Sequence, residues 1–433
     1  MTWGGSLRSA VEAAPDPVSI VRVLIVALLL SCAAAAVVGF VSRTPASVRL
    51  ESPPDDPSSA GFSDEQVARH GAFRGPLYLA FMLGLAVEIT FLVLLRGRAI
   101  GEIVAWFERV PGGWPIRSVL TVVCVAAIAW FVALPLGFMR GYVIQKAWGL
   151  STQQPMGWFA DQAKGLGVSF VIVAVMAVAF FAVVRWQPGT WWVWATAAFT
   201  VLTAILVFLY PVAIAPLFNR FTPLQDAALE VQIEELAARA GVNVDEVLVA
   251  DASRRSTAEN AYVAGLGATK QVVLYDTLLA NSETDTTLFV VAHELGHESE
   301  NHVLKNVGLS AIGLLVSFGV LAWLARGPLL AWTSASSLVD LRVIPGLLLF
   351  ATIGGLVAAP LQNAVSRSFE ATADRIAFGL TADPEPAVRA FRRLALSNIS
   401  DLRPPDPVVW LLYSHPPIDD RIEAARAVGA ANP

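Results

Sequence analysis

The sequence predicts an α-helical polytopic membrane protein: seven transmembrane helices interrupted by one small, water-facing α+β insert. Three observations carry that prediction. Of 433 residues, 55% are hydrophobic and only 15% charged, and the mean hydropathy is +0.60, far too apolar for a soluble chain of this size. Seven stretches supply the roughly 20 apolar residues that a helix needs to cross a hydrocarbon core. Between the fifth and sixth, residues 219–303 turn to a mixed polar and apolar pattern with caps, turns and strand alternation.

The spans are read at Val18–Val41, Pro76–Leu95, Ile116–Leu136, Gly165–Val184, Trp191–Pro211, Val307–Leu324 and Ile344–Leu361. The first is too long for a secretory signal and lacks its cleavage pattern, so it is expected to be retained. Thr44–Arg74, with its Glu51–Ser59 run of acid, proline and serine, is expected to be a mobile loop without a core. Trp186, Trp191, Trp192 and Trp194 mark a tight turn at headgroup level. In the insert, a helix over Leu224–Ala240 ends at Gly241; strands follow at Val247–Val249, Tyr262–Gly265 and Gln271–Tyr275, with Gly265 and Gly267 in the turn between the last two. Helical periodicity then covers residues 293–297, and a final helix runs from Ile418 to about Val428. This divides the chain into 1–218 (spans one to five), 219–303 (insert), 304–365 (spans six and seven) and 366–433 (C-terminal segment).

Both cysteines, Cys32 and Cys124, lie inside spans, so no disulfide framework is implied. A net charge of −5 and the absence of a Lys/Arg cluster exclude a nucleic-acid partner. Two spans separate the insert from the C-terminal segment, so both lie on one side of the membrane. Basic residues do not orient the chain: Arg96, Arg98, Arg109 and Arg117 on one face balance Arg43, Arg49, Arg140, Lys146 and Lys164 on the other.

His293-Glu294-Leu295-Gly296-His297 carries the chemistry. Residues four apart share a helix face, so the two imidazoles can hold one metal ion while Glu294 addresses a water bound to it. Catalytic zinc takes a third protein ligand. His302 follows His297 at a spacing that does not suit one. Glu370 suits it better: it continues the helix of span seven, and Asp374 lies one turn on, where it would hold a ligand histidine's second nitrogen. A solvated helix face is the plain alternative for this pair. His415, followed by Pro416 and Pro417, reads either as an oxyanion donor or as a turn histidine.

These motifs, with the runs Leu217–Leu224, Asn260-Ala261-Tyr262, Val273–Leu279, Ser366-Arg367 and Ser414-His415-Pro416, resemble the type I CAAX prenyl proteases, integral-membrane zinc endopeptidases that act on prenylated C-termini. The resemblance implies seven helices enclosing a water-filled chamber, which Glu88 would face unless it simply pairs within the bundle, and one Zn2+ per chain held by His293, His297 and Glu370. It implies Glu294 as general base, His415 and Arg421 flanking the scissile carbonyl, and Asn260 and Ala261 on an edge strand that pairs with the substrate. The expected substrates are peptides or proteins, including lipid-modified ones, cleaved by a monomer. The Ala/Gly/Val/Arg-rich usage points to a bacterium and hence a plasma membrane, and the resemblance implies that the site faces the cytoplasm. Two departures, Ala258-Glu259 for the usual His-Ser and Glu298-Ser299 for an aromatic and a lysine, fall where substrate is expected. The alternatives are a broad-specificity quality-control protease of the HtpX type and, less favoured, a non-enzymatic channel or transporter.

Overall fold

The computed structural model describes residues 19–50, 55, 61–265, 270–381 and 383–431. Val18, Gly267 and most of the acidic Glu51–Ser59 run lie outside them. Among the described residues, seven helices are long and apolar enough to cross a membrane: Ile20–Val41, Asp64–Leu95, Gly113–Ala147, Pro155–Trp186, Trp191–Leu217, His302–Leu324 and Leu341–Thr381. Each of the seven expected spans is present, and most run past their apolar core because polar residues prolong the helix into water.

The spans form a ring. Span two packs on three, three on four, four on five, five on six, six on seven, and seven back on two, while span one lies across two and three. The hydroxyl of Thr352 on span seven donates to Glu88 Oε1 on span two, 2.7 Å away, across the closing contact. Between 0 and 33% of the most apolar stretch of each span is buried within the protein. Such low burial fits a single layer of helices with lipid outside and a chamber inside.

Two expectations change. Span two starts at Asp64, where Ser63 and Gln66 form a capping box, so residues 64–74 are helix and not loop. Arg69, His70 and Phe73 are buried there, and His70 Nδ1 meets the Ser400 carbonyl. Asp55 is gripped by the guanidinium of Arg392, which is 1% exposed, also donates to the Gly61 carbonyl and lies over the Phe62 ring. Arg392→Leu is therefore expected to lower the melting temperature in detergent, by the equivalent of about 2–4 kcal/mol, since the Asp55 carboxylate loses the guanidinium that grips it. The second change concerns Trp191, which is 4% exposed and packs edge-on against Phe180 and Phe318 instead of facing headgroups. Trp186 and Trp194 do lie at the surface, their rings 5.2 Å apart and tilted by 57°.

The insert holds a four-stranded sheet: β1 (Phe221–Pro223), β2 (Glu246–Ala250), β3 (Ala261–Ala264) and β4 (Gln271–Tyr275), in the order β1-β2-β4-β3. β2 and β4 are parallel, and β1 and β3 flank them antiparallel. β1 was not expected; its Pro223 suits an edge strand, which has donors to spare. The helix Ala227–Arg239 is capped by Asp226, which accepts from the amides of Ala228 and Leu229. One core joins insert and C-terminal segment: Ile233, Leu274 and Phe289 pack with Phe378, Phe391 and Ile422. This shared core puts both segments at the same end of the ring.

Candidate metal centre

Two helices build the centre, the motif helix Thr284–Ser299 and the extension of span seven, whose helix Ile344–Thr381 runs straight out of the membrane. Gly296 lets them meet. A Cβ there would lie 3.0 Å from both Cα and the carbonyl oxygen of Ala373, backbone atoms that cannot step aside. Gly296→Val is expected to part the helices and lower bound metal well below one ion per chain, measured by elemental analysis of the purified protein.

At that crossing His293, His297 and Glu370 offer ligand atoms all within 4.8 Å of one another. The two Nε2 atoms are 3.2 Å apart, and the Glu370 oxygens lie 3.2 Å from His293 and 3.5 Å from His297. His293 Nδ1 faces Asp374 Oδ1 at 2.8 Å, so its proton sits there and Nε2 presents a lone pair. Glu370 Oε2 is buried without a hydrogen-bond partner. Lone pairs and a carboxylate converging in a buried site repel one another unless a cation lies between them, and two imidazoles with one carboxylate fit zinc with a position left open. His302 is outside this set. Its Nδ1 lies 3.0 Å from His297 Nδ1, and its ring stacks on Phe369 at 4.2 Å, so it fixes the second imidazole as Asp374 fixes the first.

Arg421 lies at the centre, its Nη2 3.4 Å from His293 Nδ1. Its Nε and Nη2 donate to the two oxygens of Asp374 at 2.8 and 2.6 Å, and its guanidinium lies 4.3 Å over the Phe391 ring. Held behind His293, it fastens Asp374. His415 does face the site: its Nε2 is 3.3 Å from Glu370 Oε2, and its Nδ1 is 2.9 Å from the Ser414 hydroxyl. The segment carrying it is anchored by Arg367, which donates to the carbonyls of Val409 and Tyr413, and by Tyr78, which bonds to both Asp401 and the Tyr413 hydroxyl. Neither Tyr78 nor Tyr413 was singled out in the sequence, where no local pattern marks them.

Burial raises the Glu294 carboxyl above the usual glutamate range, and His293 and His297 beside it pull the other way. β3 lies at the sheet's end and packs against the motif helix. Ala261 opens this strand, and the carbonyl of exposed Asn260 accepts from the Tyr275 amide. The departures at 259 and 298 are structural in this fold. Glu259 is 3% exposed and accepts from Arg393 at 2.9 and 2.8 Å, and Asn398 bonds to its backbone; Glu298 pairs with Lys270 at 2.8 Å.

A histidine pair and a glutamate set at one end of a seven-helix membrane ring define a membrane-embedded metalloprotease. Two family models match, peptidase family M48 over residues 223–428 and the CAAX prenyl protease N-terminal region over residues 77–220. The chain is 33% identical to the uncharacterized metalloprotease YhfN of Bacillus subtilis over 349 residues, 80% of this chain and 82% of that one. It is 30% identical to CAAX prenyl protease 1 of Saccharomyces cerevisiae over 317 residues, 69% and 70% of the two. The crystal structure of S. mikatae Ste24p superposes with a TM-score of 0.73 at 24% identity, covering 93% of this chain and 99% of that one. The protein belongs to the CAAX prenyl protease family of M48 peptidases and is a multi-pass membrane metalloprotease. These relatives do not favour the HtpX-type reading.

Proposed function

We propose that the chain is a zinc endopeptidase, with one Zn2+ held by His293, His297 and Glu370, that cleaves near the C-termini of CAAX-type, lipid-modified substrates at the cytoplasmic face of a bacterial plasma membrane. The observation that carries this reading is the buried convergence of three ligand atoms, with Glu294 one residue from His293, at the end of a ring of membrane helices. Zinc bound there supplies a Lewis acid that polarises the scissile carbonyl and acidifies the attacking water.

The remaining work falls to the chain's own groups. Glu294 takes the proton of the attacking water and returns it to the leaving amine. The Ser414 hydroxyl lies 2.9 Å from His415 Nδ1; in the tautomer in which it donates there, the imidazole proton sits on Nε2, from which it stabilises the oxyanion by roughly 3 kcal/mol. Asp374 and Arg421 keep the His293 ring in place, so Arg421 is a positioning residue. The outer edge of β3, at Asn260 and Ala261, pairs with the extended substrate through backbone hydrogen bonds, which give affinity without reading side chains.

The test is cleavage of a farnesylated CAAX peptide and its unmodified twin by purified protein acting as a monomer in detergent, with Glu294→Gln as the blank. A strong Glu294-dependent preference for the farnesylated peptide supports the proposal. Equal cleavage of both removes lipid-tail recognition, and no cleavage of either by the zinc-loaded protein removes CAAX-type peptides as its substrates.

A further inference from the structure

A second site lies at the opposite end of the helix ring. A cavity of about 500 Å³ opens among the link between spans two and three (Glu108), the start of span three (Trp114, Arg117), the end of span four (Arg185), the link between spans six and seven (Asp340) and the start of span seven (Arg342). Because successive spans alternate in direction, these links lie across the membrane from the insert and the metal centre.

The charges here do not cancel locally. Asp340 is fully engaged: it accepts from Arg342 Nε at 3.0 and 3.1 Å and from Arg342 Nη2 at 2.6 Å, and it also accepts from the amide and hydroxyl of Ser336. Arg117 donates Nε to the Val110 carbonyl at 3.2 Å and makes no ion pair among the described residues. Arg185 lies 4.7 Å over the Trp114 ring; its Nη1 is buried without a hydrogen-bond partner, and it too has no ion pair among the described residues. Leaving Arg185 Nη1 buried without a partner is unfavourable, and the planar guanidinium fork matches a phosphate bidentately.

The surroundings place the cavity at headgroup depth. Trp186, next to Arg185, is 60% exposed and packs at a tilt against Trp194, and Trp106, on the amphipathic helix Arg98–Glu108 that forms one wall, is 67% exposed. Exposed indoles of this kind sit where acyl chains meet headgroups, and basic pockets between spans bind anionic headgroups there.

We propose that this cavity binds a phosphate group through Arg117 and Arg185, carried by an anionic phospholipid of the leaflet remote from the metal centre. Such a lipid would tie the link between spans two and three to the link between spans six and seven, and so close that end of the ring.

The experiment uses delipidated full-length protein in a neutral detergent, with native mass spectrometry and thermal melting in the presence of phosphatidylglycerol, diacylglycerol or inorganic phosphate. The wild type is expected to retain phosphatidylglycerol and melt at higher temperature with it, and not with diacylglycerol. Arg185→Gln and Arg117→Gln should each weaken retention about tenfold while leaving the gel-filtration profile unchanged. An arginine-dependent shift with inorganic phosphate alone, at equal concentration, upholds the anion site and assigns it to free phosphate. Equal uptake of phosphatidylglycerol and diacylglycerol by the wild type overturns the proposal even if neither variant folds, as does undiminished phosphatidylglycerol retention in both variants.

Discussion

Glu294→Gln is expected to bind as much metal as the wild type and to lose about 10²- to 10⁴-fold in kcat, the range that a positioned acid–base group supplies. In activation free energy that is roughly 3–5 kcal/mol. The reason is geometric: Glu294 is not among the clustered ligand atoms, so an amide of the same shape leaves the coordinating set alone and removes only the proton acceptor. KM should change little, because the lost interaction is made in the transition state. Metal loss in this variant would instead place Glu294 among the ligands.

Glu370→Ala should fail in a different way. It removes one of three ligands and the only negative charge in the set, leaving two imidazoles to hold a divalent ion alone, so metal content should fall to near zero and cleavage with it. Asp374→Asn supplies the graded comparison. Its amide can still reach His293 Nδ1 but no longer orients the ring as a carboxylate does, and losses of about 10- to 100-fold in metal affinity are typical of such outer contacts. Elemental analysis and dialysis against chelator read both variants. A Glu370→Ala protein that keeps its metal would sink the ligand assignment, and one that is metal-free yet fully active would sink the metal's part in cleavage.

Much of the fold was legible because membrane spans are written in long runs of one chemistry. All seven spans appear where hydropathy places them, and β4 matches its expected limits at Gln271–Tyr275. What escaped was short or depended on distant partners. β1 has three residues, one of them proline. The amphipathic helix Arg98–Glu108 buries only Ala99, Ile100 and Ile103, too brief a stripe to stand out beside two spans. The extension of span two over residues 64–74 looked like loop because its polar residues find partners more than three hundred positions away, as His70 and Arg74 do at Ser400 and Ile399.

Within the site, local spacing gives the histidine pair and the one-turn relation of Glu370 to Asp374, since both are properties of a single helix. It does not give which ring nitrogen each partner takes, nor that Arg421 is spent on Asp374, nor that His302 supports His297. Those facts belong to the crossing of two helices, and Gly296 against Ala373 sets how closely they cross. The same limit explains Glu259. Read along the chain, an acid just before Asn260 suggests altered substrate contacts; in the fold, Arg393 claims it.

The most direct test of the central claim is anomalous diffraction at the zinc edge from crystals of the full-length protein. The account predicts one peak per chain within coordination distance of His293 Nε2, His297 Nε2 and a Glu370 oxygen, kept in Glu294→Gln and lost in Glu370→Ala. A peak coordinated by His302 in place of Glu370, or none between the motif helix and span seven in zinc-loaded protein, would contradict it.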